Sequence, residues 1–249
     1  MIHCLNCNHE VASNFCPNCG QKATVHKYSV KHFIEHDLVH GILHVDKGIL
    51  YTIKMLFTSP GHSIREFIQG KRVKIFNFVT LLVLIIAVSH FLSSYSLVKM
   101  SDIMPDNQGF MKEYENISQK YPKLILLMTI PFYSIITFFW FKKAKLNLTE
   151  HFVLNSYKTA GELLILILFT LISIFYTNIS GLGLILAVIS LGSYIYNYWF
   201  YRQFFSEYGY TKKSLVIRSI MSVISYFFIS ILVGLCIALF MLLKNKILT

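Results

Sequence analysis

Thirty-nine consecutive residues, Leu163 to Tyr201, carry no charged side chain. A hydrocarbon core about 30 Å thick takes roughly 20 helical residues to cross. A run of this length therefore fits two crossings joined by a turn. Its middle, Asn178-Ile179-Ser180-Gly181-Leu182-Gly183, supplies turn formers. The run is expected to fold as a helical hairpin with arms at about 157–177 and 184–201. Three further apolar runs are long enough to span: 75–98, where His90 is the one ionisable group; 124–141, with Pro131 inside and a kink expected there; and 219–243. Only 14% of the chain is charged, against about 25% in soluble domains. The fold class is an all-α polytopic membrane protein. It has a five-transmembrane-helix bundle over 75–249, preceded by a small N-terminal zinc ribbon (1–22) and by cytosolic amphipathic helices with a basic collar (23–74).

The net charge of +11 would suggest nucleic acid in a soluble protein. In a membrane protein the position of the cations is read first, because cytoplasmic loops collect Lys and Arg. With the N-terminus inside, the cytoplasmic segments hold nine cations over 1–74, then Lys142, Lys143, Lys145 and Lys158, then Arg202, Lys212, Lys213 and Arg218. The outer segments hold Lys99, Lys112, Lys120, Lys123, Lys244 and Lys246. This asymmetry predicts N-in and C-out. It also accounts for most of the positive charge without nucleic acid, leaving the bilayer as the first partner.

Cys4-x2-Cys7 and Cys16-x2-Cys19 form two knuckles separated by eight residues. Each knuckle points two thiolates at one cation, and two of them supply the four soft ligands that tetrahedral Zn2+ takes. Four thiolates make a closed structural site without an open position for catalysis. A segment this short buries no core of its own, so the metal supplies its folding free energy, of order 10 kcal/mol. Reduced cysteines place this end in the cytosol.

His32, His36, His40 and His44 recur every four residues on a helical pattern. Each step drifts about 40° around the axis, so neighbours can chelate one ion but all four cannot. The segment reads as an interfacial amphipathic helix. Its histidines are also candidates for a second metal or a proton-sensing site. His36-Asp37-Leu38-Val39-His40 echoes the His-Glu-x-x-His hydrolase helix with a shorter acid and no third ligand in view. A second helix is expected from Asp46, as its N-cap, to about Thr58, where Ser59-Pro60-Gly61 stops it. A short helix follows over 64–69, with a capping box of Ser63 and Glu66 and Gly70 as the residue that ends it. Arg65, Lys71, Arg72 and Lys74 then form a basic collar before the first span, suited to lipid headgroups or phosphate.

Cys16-Pro17-Asn18-Cys19-Gly20-Gln21-Lys22, His44-Val45-Asp46-Lys47-Gly48, Thr52, Pro60-Gly61, Ile64-Arg65-Glu66 and Gly70-Lys71-Arg72 together resemble the DUF3667 family. These are uncharacterised membrane proteins, found largely in Bacteroidota, with a zinc-ribbon-like N-terminus. The resemblance covers 1 to about 85 and implies a bacterial cytoplasmic membrane; it brings no activity. The arrangement of five spans after a cytosolic N-terminus also resembles Yip1-type membrane proteins, in architecture only.

Three functions are compatible with these features. The first is a non-enzymatic scaffold or adaptor whose zinc module and His-rich helix engage a cytosolic protein or lipid headgroups. The second is a small transporter or metal-responsive membrane protein. The third is a membrane-interface metalloenzyme using His36 and His40. The oligomeric state is not written in the sequence.

Overall fold

A computed structural model describes residues 2–25, 28, 48–98, 100–103 and 122–248. Two short strands, β1 (Ile2–His3) and β2 (Glu10–Val11), pair antiparallel with Ile2 opposite Val11. Seven helices of more than one turn follow among the described residues: α1 (Gly48–Thr58), α2 (Pro60–Ile68), α3 (Phe78–Ser93), α4 (Pro122–Trp140), α5 (Leu148–Phe175), α6 (Ile179–Phe204) and α7 (Lys212–Leu248). A single turn, Met100–Ile103, lies between α3 and α4.

The helix boundaries follow from local chemistry. Asn77 caps α3, its side chain accepting from the N–H groups of Val79 and Thr80 at 2.8 and 3.4 Å. Asn147 and Glu150 form a capping box, each side chain bonded to the other's backbone N–H at 2.8 Å, so α5 starts at Leu148 rather than near 157. Asn178 caps α6 through the N–H of Gly181 at 2.9 Å. The second arm of the hairpin therefore starts at Ile179, not at 184. The expected capping box of Ser63 and Glu66 is not formed. Pro60 sits at the start of α2, where its fixed φ is already helical, and Ser63 is an interior residue whose hydroxyl lies 3.1 Å from that of Ser59.

α5 is the central helix. α3, α4 and α6 pack along it, α7 packs on α4 and α6, and α2 lies across α6 and α5. Burial divides the α5–α6 hairpin in two. From Glu150 to Glu162, α5 is largely enclosed by protein, and on α6 Tyr196, Asn197, Phe200, Tyr201 and Phe204 are buried while Arg202 is exposed. Beyond that base the two arms are apolar and turn Leu168, Phe175, Leu184, Val188, Leu191 and Ile195 outward. Among the described residues two helices, Leu148–Phe175 and Ile179–Glu207, are long and apolar enough to cross a membrane, with mean hydropathies of 1.9 and 1.8. In the second, only 11% of the most apolar stretch is covered by protein.

Candidate functional site

The two cysteine knuckles are built alike. Asn8 N–H donates to the Cys4 carbonyl at 2.8 Å, and Gly20 N–H donates to the Cys16 carbonyl at 2.9 Å. Asn8 (φ +59°) and Gly20 (φ +74°) occupy the same left-handed position four residues after the first cysteine of each pair. This is a conformation that Gly and Asn adopt at least cost. The β1–β2 pairing and a bridge between Phe15 and Lys22 close the two hairpins. The Sγ atoms of Cys4, Cys7, Cys16 and Cys19 all lie within 4.8 Å of one another. Cys4–Cys19 and Cys7–Cys16 are each 3.5 Å apart. Ligands about 2.3 Å from a tetrahedral ion sit roughly 3.8 Å from each other, so the cluster can hold one metal ion. Its acidities are uneven. The backbone N–H of His9 holds the Cys7 thiol down at about 6. The backbone N–H of Gln21 also lowers Cys19, but burial and the sulfurs of Cys4 and Cys7 raise it to about 11. Such a crowd of sulfurs gives up its later protons readily only to a cation.

The ribbon is fastened to the collar. Gln21, 6% exposed, donates from Nε2 to the Gly70 carbonyl at 2.9 Å, and its Oε1 accepts from Arg72 N–H at 3.1 Å. Gly70 (φ +115°) holds a left-handed backbone conformation that a side chain would strain, and it packs against Leu5 of the ribbon. The Arg72 guanidinium covers the Tyr28 ring at 4.2 Å. Tyr28 is itself buried against Phe67 and Phe78, and its carbonyl accepts from Asn147 Nδ2 at 2.9 Å. The four sequence-assigned collar residues thus differ in surroundings. Lys71 pairs with Glu66 at 2.7 Å in solvent, Lys74 is exposed, Arg72 is half-buried over aromatic rings, and Arg65 is 3% exposed.

Arg65 is withdrawn from the collar because it caps a helix. Nη1 donates to the carbonyls of Gln203 and Phe204 at 2.9 and 3.2 Å and to Ser206 Oγ at 3.1 Å. Nη2 donates to His62 Nδ1 at 2.9 Å and pairs with Glu207. The last carbonyls of α6 lack helical partners and carry its negative dipole end, which a guanidinium satisfies on both counts. Gly61 makes this approach possible. Its N–H donates to Gln203 Oε1 at 3.1 Å, and a Cβ would meet Phe204 N at 2.3 Å and Phe200 O at 2.4 Å. Thr52 completes the unit by accepting from Phe76 N–H at 2.8 Å.

A second charged centre lies in the base of the hairpin. Lys158 is 0% exposed, and its ammonium donates to Glu162 Oε2 at 2.7 Å. Glu162 Oε1 accepts from Asn197 Nδ2 at 2.6 Å. The rings of Tyr133 and Tyr226 flank the ammonium at 4.4 Å each. Lys158, counted from the sequence among the cytoplasmic cations, is therefore a buried member of an i,i+4 pair and does not belong among the loop cations. Spacing alone cannot tell a surface pair from a buried one; Tyr133 and Tyr226, remote in sequence, make the difference. Nearby, Tyr201 Oη donates to Asn155 Oδ1 at 2.7 Å, and Asn155 Nδ2 donates to Thr137 Oγ1 at 2.9 Å. The hydroxyl of Tyr196 has no hydrogen-bond partner among the described residues.

The histidine stripe, His32, His36, His40 and His44, lies outside the described residues, as does the proposed N-cap Asp46. Among the described residues, the four cysteines are the group of His, Cys, Asp or Glu side chains arranged to hold a metal. Gln21 was quoted in the family motif but not identified from the residues as a docking side chain. The Asn147–Glu150 capping box was legible in the Asn-x-x-Glu spacing and was missed.

No curated protein and no solved structure matches the chain, so the Yip1-type likeness finds no support. Residues 46–89 match a family model described as a protein of unknown function, DUF3667. That interval contains Gly61 and Arg65, which fasten α2 to α6, Gly70 and Arg72, which meet Gln21 of the ribbon, and Thr52, which ties α1 to Phe76. The likeness to DUF3667 is confined to this helical unit, residues 46–89.

Proposed function

We propose that this chain is a non-enzymatic membrane scaffold. A zinc ribbon, held at a fixed place on the cytoplasmic side of a five-span bundle, receives a cytosolic protein. In this reading one structural Zn2+ is bound by Cys4, Cys7, Cys16 and Cys19. The N-terminus is cytoplasmic, the C-terminus is outside, and the membrane is a bacterial cytoplasmic membrane. The Gln21 clamp onto Gly70 and Arg72 is the observation that carries it. A module whose only task was to fold around zinc would need no buried side-chain lock to the membrane body. The ribbon also leaves Ile2 and Phe15 more than half exposed, which offers apolar anchors to a partner. The outward apolar faces of α5 and α6 support the membrane placement. In the same reading His32, His36, His40 and His44, which lie outside the described residues, are candidate contacts for the partner or for headgroups.

The test is a photocrosslinking residue placed at Phe15 in living cells. One or a few soluble proteins captured reproducibly, and lost on Cys16→Ser, would support the scaffold. Capture of lipid alone would overturn it. A second reading, a small transporter, draws on the Lys158–Glu162–Asn197 centre, because charges inside a bundle commonly mark ion pathways. Its test is uptake or efflux in proteoliposomes with Lys158→Met. The metalloenzyme reading on His36 and His40 gains no observation from the described residues.

A further inference from the structure

A cavity of about 340 Å3 opens between the end of α4 and the first two turns of α7. Trp140, Thr211, Lys213, Ser214, Ile217 and Arg218 line it. It contains two cations, two hydroxyls and an indole, and no carboxylate. Neither Lys213 nor Arg218 forms an ion pair among the described residues. Arg218 is held in place by neutral groups: Nη1 donates to the Trp140 carbonyl, Nε to Ser214 Oγ at 3.2 Å, and the guanidinium lies 5.4 Å from the Tyr210 ring centre. Arg218 is thus fixed, Lys213 is exposed beside it, and neither cation is neutralised by a carboxylate among the described residues.

An apolar track leads away from it. Ile217, Ile220, Ile224 and Phe228 on α7 are all exposed. At about 100° per residue they fall within roughly 80° of one another around the helix. Lys213 continues the same stripe one turn nearer the helix start. Trp140 runs along its edge, its indole N–H donating to Ser225 Oγ at 3.1 Å. On α4, Phe132, Ile135 and Phe139 are exposed with the same three- and four-residue spacing.

We propose that this groove is a binding site for an anionic phospholipid, the phosphate in the cavity of Lys213 and Arg218 and one acyl chain along Ile217, Ile220, Ile224 and Phe228. Charge complementarity selects the head, and the adjoining stripe selects a lipid over a free phosphate. Trp140 marks the level of the headgroups, where indole rings concentrate. This site is separate from the Lys71–Lys74 collar. It rests on the membrane reading above, and under that reading it faces the cytoplasmic leaflet, where anionic lipids attract Lys and Arg.

The chain holds two tryptophans, so Trp199→Phe leaves Trp140 as a single fluorescent reporter. The full chain carrying that change is reconstituted in phosphatidylcholine vesicles. A minor fraction of the lipid is phosphatidylglycerol or phosphatidylcholine brominated on the acyl chains. Brominated phosphatidylglycerol should quench Trp140 at a lower mole fraction than brominated phosphatidylcholine. Lys213→Gln should reduce that preference about fivefold, and Lys213→Gln with Arg218→Gln should abolish it. Because Arg218 also bonds the Trp140 carbonyl, the single Lys213→Gln variant decides the matter if the double variant does not fold. Equal quenching by the two lipids would overturn the site while leaving the membrane placement intact. Absence of quenching by either would overturn the membrane placement itself. A preference erased by millimolar inorganic phosphate would assign the cavity to free phosphate and overturn the lipid proposal.

Discussion

Replacing Arg65 with alanine removes the cap from the end of α6 and should separate α2 from it. Four protein acceptors besides Glu207 take hydrogen bonds from this one guanidinium: two backbone carbonyls, one hydroxyl and one imidazole. Hydrogen bonds to a charged group are worth about 1.5–3 kcal/mol each, but they share one side chain and do not add. Removing the guanidinium leaves the Phe204 carbonyl buried without its charged donor, and a buried acceptor left unsatisfied costs about 1–3 kcal/mol. The Glu207 carboxylate is 64% exposed, so the ion pair itself contributes under about 1 kcal/mol. The expectation is a loss of about 3–4 kcal/mol for Arg65→Ala. Arg65→Lys should lose roughly half of that, since an ammonium cannot reach both carbonyls and His62 from one stem. Glu207→Ala should lose less than about 1 kcal/mol. Unfolding of the purified full chain in denaturant, followed by circular dichroism, measures all three. If Glu207→Ala proves as harmful as Arg65→Ala, the residue works as a salt bridge and the helix-capping account is refuted.

Gly61→Ala should destabilise by about 3 kcal/mol or more in the same assay, because the backbone atoms it would strike cannot turn aside. Lys158→Met should cost about 3–5 kcal/mol by leaving Glu162 buried and unpaired, while Lys158→Met with Glu162→Gln should recover most of that loss. A double-mutant cycle measures the difference. Zinc should be held less tightly as pH falls from 8 to 6, because protons compete for the four thiolates; chelator competition at fixed total zinc reads this directly. Gln21→Ala should leave zinc content unchanged while exposing Arg72 to arginine-modifying reagents.

The hairpin was legible because charge is absent over a length that only two crossings fit, and the knuckles because Cys-x2-Cys spacing constrains two ligands at once. Boundaries were less legible. Asn147 and Asn178 move two helix starts by capping, a signal carried by one residue against a long apolar background. Arg65 read as a surface cation because it stands in a basic run. Its burial depends on Gly61, which lets α2 approach α6, and on carbonyls more than 130 residues away in the chain. Lys158 shows the same limit, since its place inside the bundle is decided by Tyr133 and Tyr226 on other helices.

The central claim is that the metal-bound ribbon and the helical body are one locked unit. Hydrogen exchange of the full chain, with zinc and after chelation, tests it at the Arg72 amide, which donates to Gln21. Chelation should unfold the ribbon and release protection at the Arg72 amide, while Gly70 and Lys71, whose N–H groups donate to the Phe67 and Glu66 carbonyls, keep theirs, as do α5 and α6. Exchange at the Arg72 amide that is unchanged by zinc removal would contradict the claim.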